Sequence, residues 1–276
     1  MSARLARLSD TGLWARPMRS QLSLLQQSQQ SALYHNSLAL PRHEYRVVAL
    51  MRALGTLSRG ELAQHLGYSR ATITGLAKAL IDGGILQEIA GTQSTGGRRP
   101  RLLDFNPQFA YVVGVDMGAT SVDVGLADFR GAILLRHQEP IDVRDGPEPV
   151  LDRVIAITQD LIGQCGVAPA RVLSMGIGVP GPVDFVNGVL SVPPIMPGWE
   201  RYPIRQKIQQ TFPHMTVVVD NDVNMMALGE LRAGVGRGVD NFIYVKVGTG
   251  IGAGIVVGGE IYRGSTGSAG DIGHIQ

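Results

Sequence analysis

Four short segments hold the residues able to do chemistry. The first, Asp116-Met117-Gly118-Ala119-Thr120, sets a carboxylate, a glycine and a hydroxyl close together. Gly118 lets a phosphate approach the backbone, Thr120 offers a hydroxyl, and Asp116 can hold a magnesium ion directly or through water. An acidic residue in a glycine turn is usually only a turn. The second, Asp220-Asn221-Asp222-Val223-Asn224, follows the apolar run Val217–Val219. A carboxylate at the C-terminal end of a buried strand stands where α/β folds place their ligands. Asp222 there can take a proton from a sugar hydroxyl or hydrogen-bond it, and Asn221 or Asp222 serves as readily as a helix cap. The third, Gly248-Thr249-Gly250-Ile251-Gly252-Ala253-Gly254, can turn backbone N–H groups toward a phosphate or simply close a tight hairpin. The fourth runs from Gly264 to Gly270-Asp271-Ile272-Gly273-His274, where His274 is able to ligate a metal or a sugar hydroxyl.

The elements that position these segments can be read from periodicity. Tyr111–Val115, Val122–Ala127 and Ile133–Arg136 read as three successive antiparallel strands. A helix follows over Pro149–Gln164, then a buried strand at Val172–Val179, a second at Met215–Val219, and a helix at Asn224–Ala233. Phe242–Val247 and Ile251–Val257 read as a hairpin around the glycine turn. Three antiparallel strands followed by αβαβ predict an α/β lobe of the ribonuclease-H and actin type.

Residues 41–105 have a different texture. Val47, Val48, Leu50, Met51 and Leu54 make a helical stripe that Gly55 ends. Ser58 and Glu61 have capping-box spacing for a second helix with Leu62, Ala63 and Leu66 inside, and Gly67 supplies the turn. Ser69 caps a third helix, Arg70–Ile81, with Ile73, Leu76, Ala77 and Leu80 inward. Strands at Ile85–Ile89 and Arg101–Phe105 flank a loop containing Gly96-Gly97-Arg98-Arg99-Pro100-Arg101. Helix, glycine turn, capped helix and two-stranded wing describe a winged helix-turn-helix. Its third helix offers Ser69, Arg70, Thr72, Thr74 and Lys78 to base edges and phosphates. Arg98, Arg99 and Arg101 suit a narrow minor groove.

Charge supports the division. Residues 1–110 hold 13 Lys and Arg against 6 Asp and Glu, and the remainder holds 12 against 17. A basic module before an acidic one favours a polyanion as partner of the first, with double-stranded DNA foremost. The expected organisation is a low-complexity extension at 1–40, containing a short helix around Gln21–Leu33, a DNA-binding unit at 41–106 and a ligand-binding body at 107–276. The chain has 276 residues, 44% of them hydrophobic and 17% charged, which excludes a disordered protein. No stretch approaches the length of a membrane span. A lone cysteine, Cys165, excludes an internal disulfide framework and fits a reducing, cytoplasmic setting.

Taken in order, the segments resemble the ROK family of repressors, open reading frames and sugar kinases. The resemblance covers about residues 41–276 and rests on the winged helix ending in Gly-Gly-Arg-Arg-Pro-Arg, on DMGAT, GVPGPVD at Gly178–Asp184, PPIMPGW at Pro193–Trp199, DNDVN, and GTGIGAG continuing to GDIGH. The DNA-binding head before the body is similar to the repressor branch, which controls sugar-utilisation genes in response to a sugar or sugar phosphate and works as homo-oligomers. The kinases lack the head. The resemblance implies an actin-like body in which Asp116, Gly118 and Thr120, with Gly248, Thr249 and Gly250, serve nucleotide phosphate. It gives Asn221, Asp222, Asp271 and His274 to sugar, and Asp222 matches the base of the kinases, with Mg-ATP their cofactor.

Three positions depart from the family pattern. Ala119 stands for a second glycine and crowds a phosphate. The sugar-contacting Asn of the loop before Trp199 is replaced around Ile195. Asp271 is one methylene shorter than the usual Glu. These weaken the kinase reading more than the sugar-binding one. The resemblance also makes His274 the first zinc ligand. The family's zinc cysteines lie in a loop soon after that His, whereas this sequence reaches Gln276 two residues later. The expectation is therefore a body with its second lobe incomplete, no zinc held in the family's manner, and Ile251–Val257 an edge strand short of partners.

Overall fold

A computed structural model describes residues 40–91, 101–191, 196–248 and 250–273, all within one compact unit, Asn36–Gln276. The extension, its short helix at 21–33, Arg98, Arg99, Thr249, Ile195 and His274 lie outside the described residues.

The chain first forms three helices, α1 (Arg42–Leu54), α2 (Arg59–Leu66) and α3 (Arg70–Asp82). Gly55 and Gly67 terminate the first two with φ of +86° and +69°, a region where a side chain is strained. Ser58 Oγ accepts the Glu61 N–H, and Glu61 Oε2 accepts the Ser58 N–H at 2.8 Å, so the capping box closes both ways. Val47, Met51, Leu62, Ile73, Ala77 and Leu80 meet in the small core between the helices.

A short strand, β1 (Leu57–Ser58), pairs antiparallel with β3 (Arg101–Phe105), whose other edge carries β2 (Leu86–Ala90). The sheet thus has three strands, in the order β1-β3-β2, where periodicity gives two. Two residues are too few to show a period.

The larger sheet has the order β10-β7-β4-β5-β6, formed by β4 (Tyr111–Met117), β5 (Ser121–Asp128), β6 (Ile133–Pro140), β7 (Val172–Val179) and β10 (Thr216–Asn221). The first three run antiparallel, whereas β7 and β10 join parallel to β4, as the αβαβ reading expects. Val122, Val124 and Leu126 alternate inward along β5, and β4 does the same with Val113, Val115 and Met117. Helix α4 (Pro147–Gln164) and helix α5 (Ile204–Thr211) cover this sheet with Val150, Leu151, Val154, Ile157, Leu161, Ile204 and Ile208. Trp199 is fully buried beside them and donates its indole N–H to the Val143 carbonyl at 2.8 Å. A small hairpin, β8 (Val183–Asp184) with β9 (Val189–Leu190), hangs from the end of β7.

Helix α6 (Asp222–Ala233) follows β10 and leads to a second sheet of three strands, β11 (Phe242–Val247), β12 (Ile251–Val257) and β13 (Glu260–Ile261), in that order. The edge-strand expectation for Ile251–Val257 is corrected here, because β12 pairs with β11 along its length and with β13 at Val256 and Val257. What lies open among the described residues is a face. Ile243, Val245, Val247, Ile251 and Val257 are all exposed on the side turned away from α6.

The helical unit meets the larger sheet through Arg52. Its guanidinium, still reached by solvent, lies 4.6 Å from the ring centre of Phe105 and 4.5 Å from that of Phe129. Phe109 stacks edge-on to Phe129, and Arg130 bridges Asp104 at 2.8 Å. Arg52→Ala is expected to lower the unfolding free energy by about 1 kcal/mol, the scale of cation–π contacts at accessible sites. Urea denaturation of the two proteins measures it.

Candidate functional site

Helix α6 packs against both sheets, and glycine makes the approach possible. A Cβ on Gly178 of β7 would sit 3.1 Å from the Asp222 Cα, and one on Gly176 would sit 3.1 Å from Met225. On the opposite side, a Cβ on Gly254 of β12 would lie 2.5 Å from the Ala227 Cβ and 2.6 Å from the Val223 carbonyl oxygen. The helix is therefore seated backbone-close against both sheets. The glycines at 252 and 254 serve this packing, a role that the reading of their segment as a phosphate cradle or a tight hairpin does not contain.

The N-terminus of α6 opens into a cleft of about 570 Å³. Its walls include Gly118 and Thr120 from the β4–β5 turn, Gly181, Asn221, Asp222, Lys246, Gly248, Gly250 and Asp271. The fold thus brings the four sequence segments to one place. Asp116 is not among the wall residues. It belongs instead to a row across the sheet, where Asp220 pairs with Gly178, Gly178 with Asp116, and Asp116 with Asp123.

The polar side chains around this row are held in different ways. Asn221 caps α6, with its Oδ1 accepting the N–H groups of Val223 at 3.0 Å and Asn224 at 3.2 Å, while its amide donates to the Gly181 carbonyl at 3.0 Å. Asp220 is 2% exposed and accepts two hydrogen bonds from Arg263, at 2.7 and 3.0 Å, and one from Asn224 at 3.0 Å. Arg263 in turn lies 3.9 Å above the ring of Phe185. Asp222 is buried, with Oδ1 accepting its neighbour's N–H from Val223 at 2.9 Å and Oδ2 accepting Lys246 Nζ at 2.5 Å. Arg136 holds Asp123 through both carboxylate oxygens. Asn224 Oδ1 is buried with no hydrogen-bond partner among the described residues.

Asp116 is left without so close a cation, and its carboxyl is pushed above the usual range, first by desolvation. The nearby Lys246 charge opposes the rise, and the carboxylates of Asp222 and Asp123 add to it.

Sequence reasoning missed Lys246 and Arg263. Lys246 is the only charged residue of β11, and strand alternation alone places it with Phe242 and Tyr244 on the side facing α6. Arg263 follows β13 in a segment with no period, so nothing local marks it.

The surface proposed for DNA is more mixed. Arg70 and Thr72 are exposed in the first turn of α3. Ser69 Oγ accepts the Thr72 N–H at 3.0 Å, Thr74 Oγ1 donates to the Arg70 carbonyl at 2.8 Å, and Lys78 pairs with Asp82 at 2.5 Å. Arg101 and Arg59 both bind Glu88. Among the described residues no group of three or more His, Cys, Asp or Glu is arranged to hold a metal ion, and Cys165 sits at the C-terminal end of α4.

A family model described as "ROK family" matches residues 112–276. The chain belongs to the ROK family. The xylose repressor of Bacillus subtilis (strain 168) is 32% identical to this ROK chain over 222 residues, covering 79% of it and 56% of the relative. The crystal structure of a ROK family transcriptional regulator, homolog of E. coli MLC protein, superposes with a TM-score of 0.68 at 26% identity over 85% of this chain and 59% of that one. A ROK family glucokinase from Streptomyces griseus, solved with glucose and AMPPNP, superposes with a TM-score of 0.54 at 33% identity, covering 60% of this chain and 51% of that one. The ROK chain spans about half the length of the curated relatives it matches. No described helix is long and apolar enough to cross a membrane.

Gly254→Ala is expected to destabilise the fold by about 1–3 kcal/mol through overpacking, whereas Gly250→Ala, with open space around its Cβ, leaves stability nearly unchanged. Thermal unfolding of the two variants separates them. The raised Asp116 pKa disfavours the folded state once the group ionises, so stability is lost as pH rises from the unfolded value of 3.8 through the higher folded value. Asp116→Asn is therefore expected to raise Tm at pH 7, with the difference shrinking as pH falls toward 4.

Proposed function

We propose that this chain is a sugar-responsive, DNA-binding transcriptional regulator, a repressor of carbohydrate-utilisation genes. Residues 41–106 act as a winged helix-turn-helix head and 107–276 as the sugar-binding body. The supporting observation is the reach of the similarity. The regulator and repressor relatives align over 85% and 79% of the chain, taking in the helical head, whereas the glucokinase aligns over 60%.

In this reading α3 enters the major groove of double-stranded DNA. Arg70 is presented from its first turn, with Ser69, Thr72, Thr74 and Lys78, each already engaged in a local hydrogen bond or ion pair, lying along the backbone. Arg98, Arg99 and Arg101 reach the adjacent groove from the wing. The sugar or sugar phosphate enters the cleft between Asn221, Asp222 and Asp271, with His274 completing the set. A ligand shifts the protein only as far as it binds one arrangement of head and body better than another. The protein works in the cytoplasm as a homo-oligomer on a two-fold operator. The ion pair between Asp222 and Lys246 argues against the phosphoryl-transfer alternative, since the carboxylate needed as base is already engaged.

Fluorescence anisotropy on DNA from the gene's own upstream region, against shuffled DNA across a salt series, tests the reading. Tighter binding to the native DNA, weakening as salt rises, is the expected result, and equal binding to both overturns it. Arg70→Ala is expected to weaken native-site binding by about ten- to a hundredfold, as loss of a base-contacting arginine does.

A further inference from the structure

The turn before α3 carries a group of polar side chains outside the contacts named so far. Tyr68 directly precedes Ser69, the cap of α3, and its backbone N–H is tied to the Ala63 carbonyl at 3.2 Å. Arg46 of α1 donates through Nη1 to the Tyr68 phenol oxygen at 2.6 Å, and His43 Nδ1 meets the same oxygen at 2.8 Å. The guanidinium also lies 5.1 Å from the centre of the Tyr68 ring, and the His43 ring stands edge-on to it at 5.5 Å.

These contacts leave positive charge unanswered. Among the described residues no carboxylate lies within ion-pair distance of Arg42, His43 or Arg46. Arg59 and Arg101, by contrast, both have Glu88. Half-buried Arg46 spends one of its five N–H groups on a neutral oxygen. Arg42 and Arg46 are four residues apart and so share one side of α1, whereas Glu44, the acid of the first turn, is two residues from each and does not face them. Arg42 and His43 occupy that first turn, where the positive end of a helix favours acids. Basic residues kept where they oppose the helix dipole point to an anion outside the fold.

The trio has a donor to spare in either state of His43. A neutral imidazole takes the phenol proton at Nδ1 and keeps its own on Nε2. A protonated one donates Nδ1–H to the phenol oxygen and frees the phenol proton. Such a set suits phosphate oxygens. With a recognition helix in the major groove, the helix packed before it runs over the flanking backbone.

We propose that Arg46, oriented by Tyr68 and flanked by Arg42 and His43, anchors a backbone phosphate of double-stranded DNA and so fixes the register of α3 in the groove. The inference rests on the DNA-binding reading and adds to it a contact that is blind to sequence.

The anisotropy salt series on native and shuffled DNA, run with the full chain, tests the anchor. Arg46→Gln is expected to weaken binding to both DNAs by the same factor, about three- to tenfold at physiological salt, and to flatten the slope of log affinity against log salt by about 1. Arg237→Gln removes an equal charge from an exposed site in the body and is expected to leave affinity and slope unchanged. Arg46→Lys is expected to restore the slope, because the charge returns, and only part of the affinity, because the planar fork does not. Arg46→Met keeps the alkyl stem and repeats the test if the Gln variant does not fold by circular dichroism. An unchanged slope in a folded variant without the charge, or a loss confined to the native DNA, overturns the inference. Equal binding of both DNAs by the unaltered chain defeats the regulator reading and leaves the slope test of the anchor intact, whereas binding to neither defeats both.

Discussion

The clamping of α6 between two sheets is the constraint on which the rest of the molecule depends. A helix packed on one sheet normally keeps side chains between the backbones. Here Gly176 and Gly178 on β7 and Gly252 and Gly254 on β12 remove them on both sides. The helix axis is fixed, its first residue is set at the rim of the larger sheet, and the cleft takes its shape from that placement. Loosening either contact would move Asn221 and Asp222 together, since the cap and the carboxylate belong to one turn.

This seating gathers negative charge, and the surrounding sequence answers it. Asp220, Asp116 and Asp123 lie in one row of strand ends, with Asp222 just beyond. Arg263, Lys246 and Arg136 come to them from three different elements. Buried carboxylates are tolerated only when paired and hydrogen-bonded. Arg263 does more than neutralise, because its contact with Phe185 ties the segment after β13 to the β8–β9 hairpin.

Much of this was legible in the sequence, and what was missed has a physical cause. The strands at Arg101–Phe105, Val172–Val179, Phe242–Val247 and Ile251–Val257 could be read to the residue, because burial on one or both faces writes a strong pattern. The Ser58–Glu61 box was readable because both partners are local. The roles of Gly252 and Gly254 were not. A glycine turn that cradles an anion and a glycine strand that admits a helix look alike in one dimension. Lys246 and Arg263 escaped for the same reason, since their partners are 24 and 43 residues away. Asn221 showed both its options in the sequence, and geometry shows the cap.

The contact at Arg52 has a mechanical meaning for the link between the helices and the larger sheet. The rings of Phe105 and Phe129 stand at 88° to each other, and the guanidinium lies 4.6 and 4.5 Å from their centres. A planar cation cannot lie flat on two perpendicular rings, so the three groups form a corner, and a corner resists displacement along more than one direction. The Arg130–Asp104 bridge adds a directional tie beside it. Because a guanidinium keeps its proton throughout the physiological range, this corner has no acidity setting of its own.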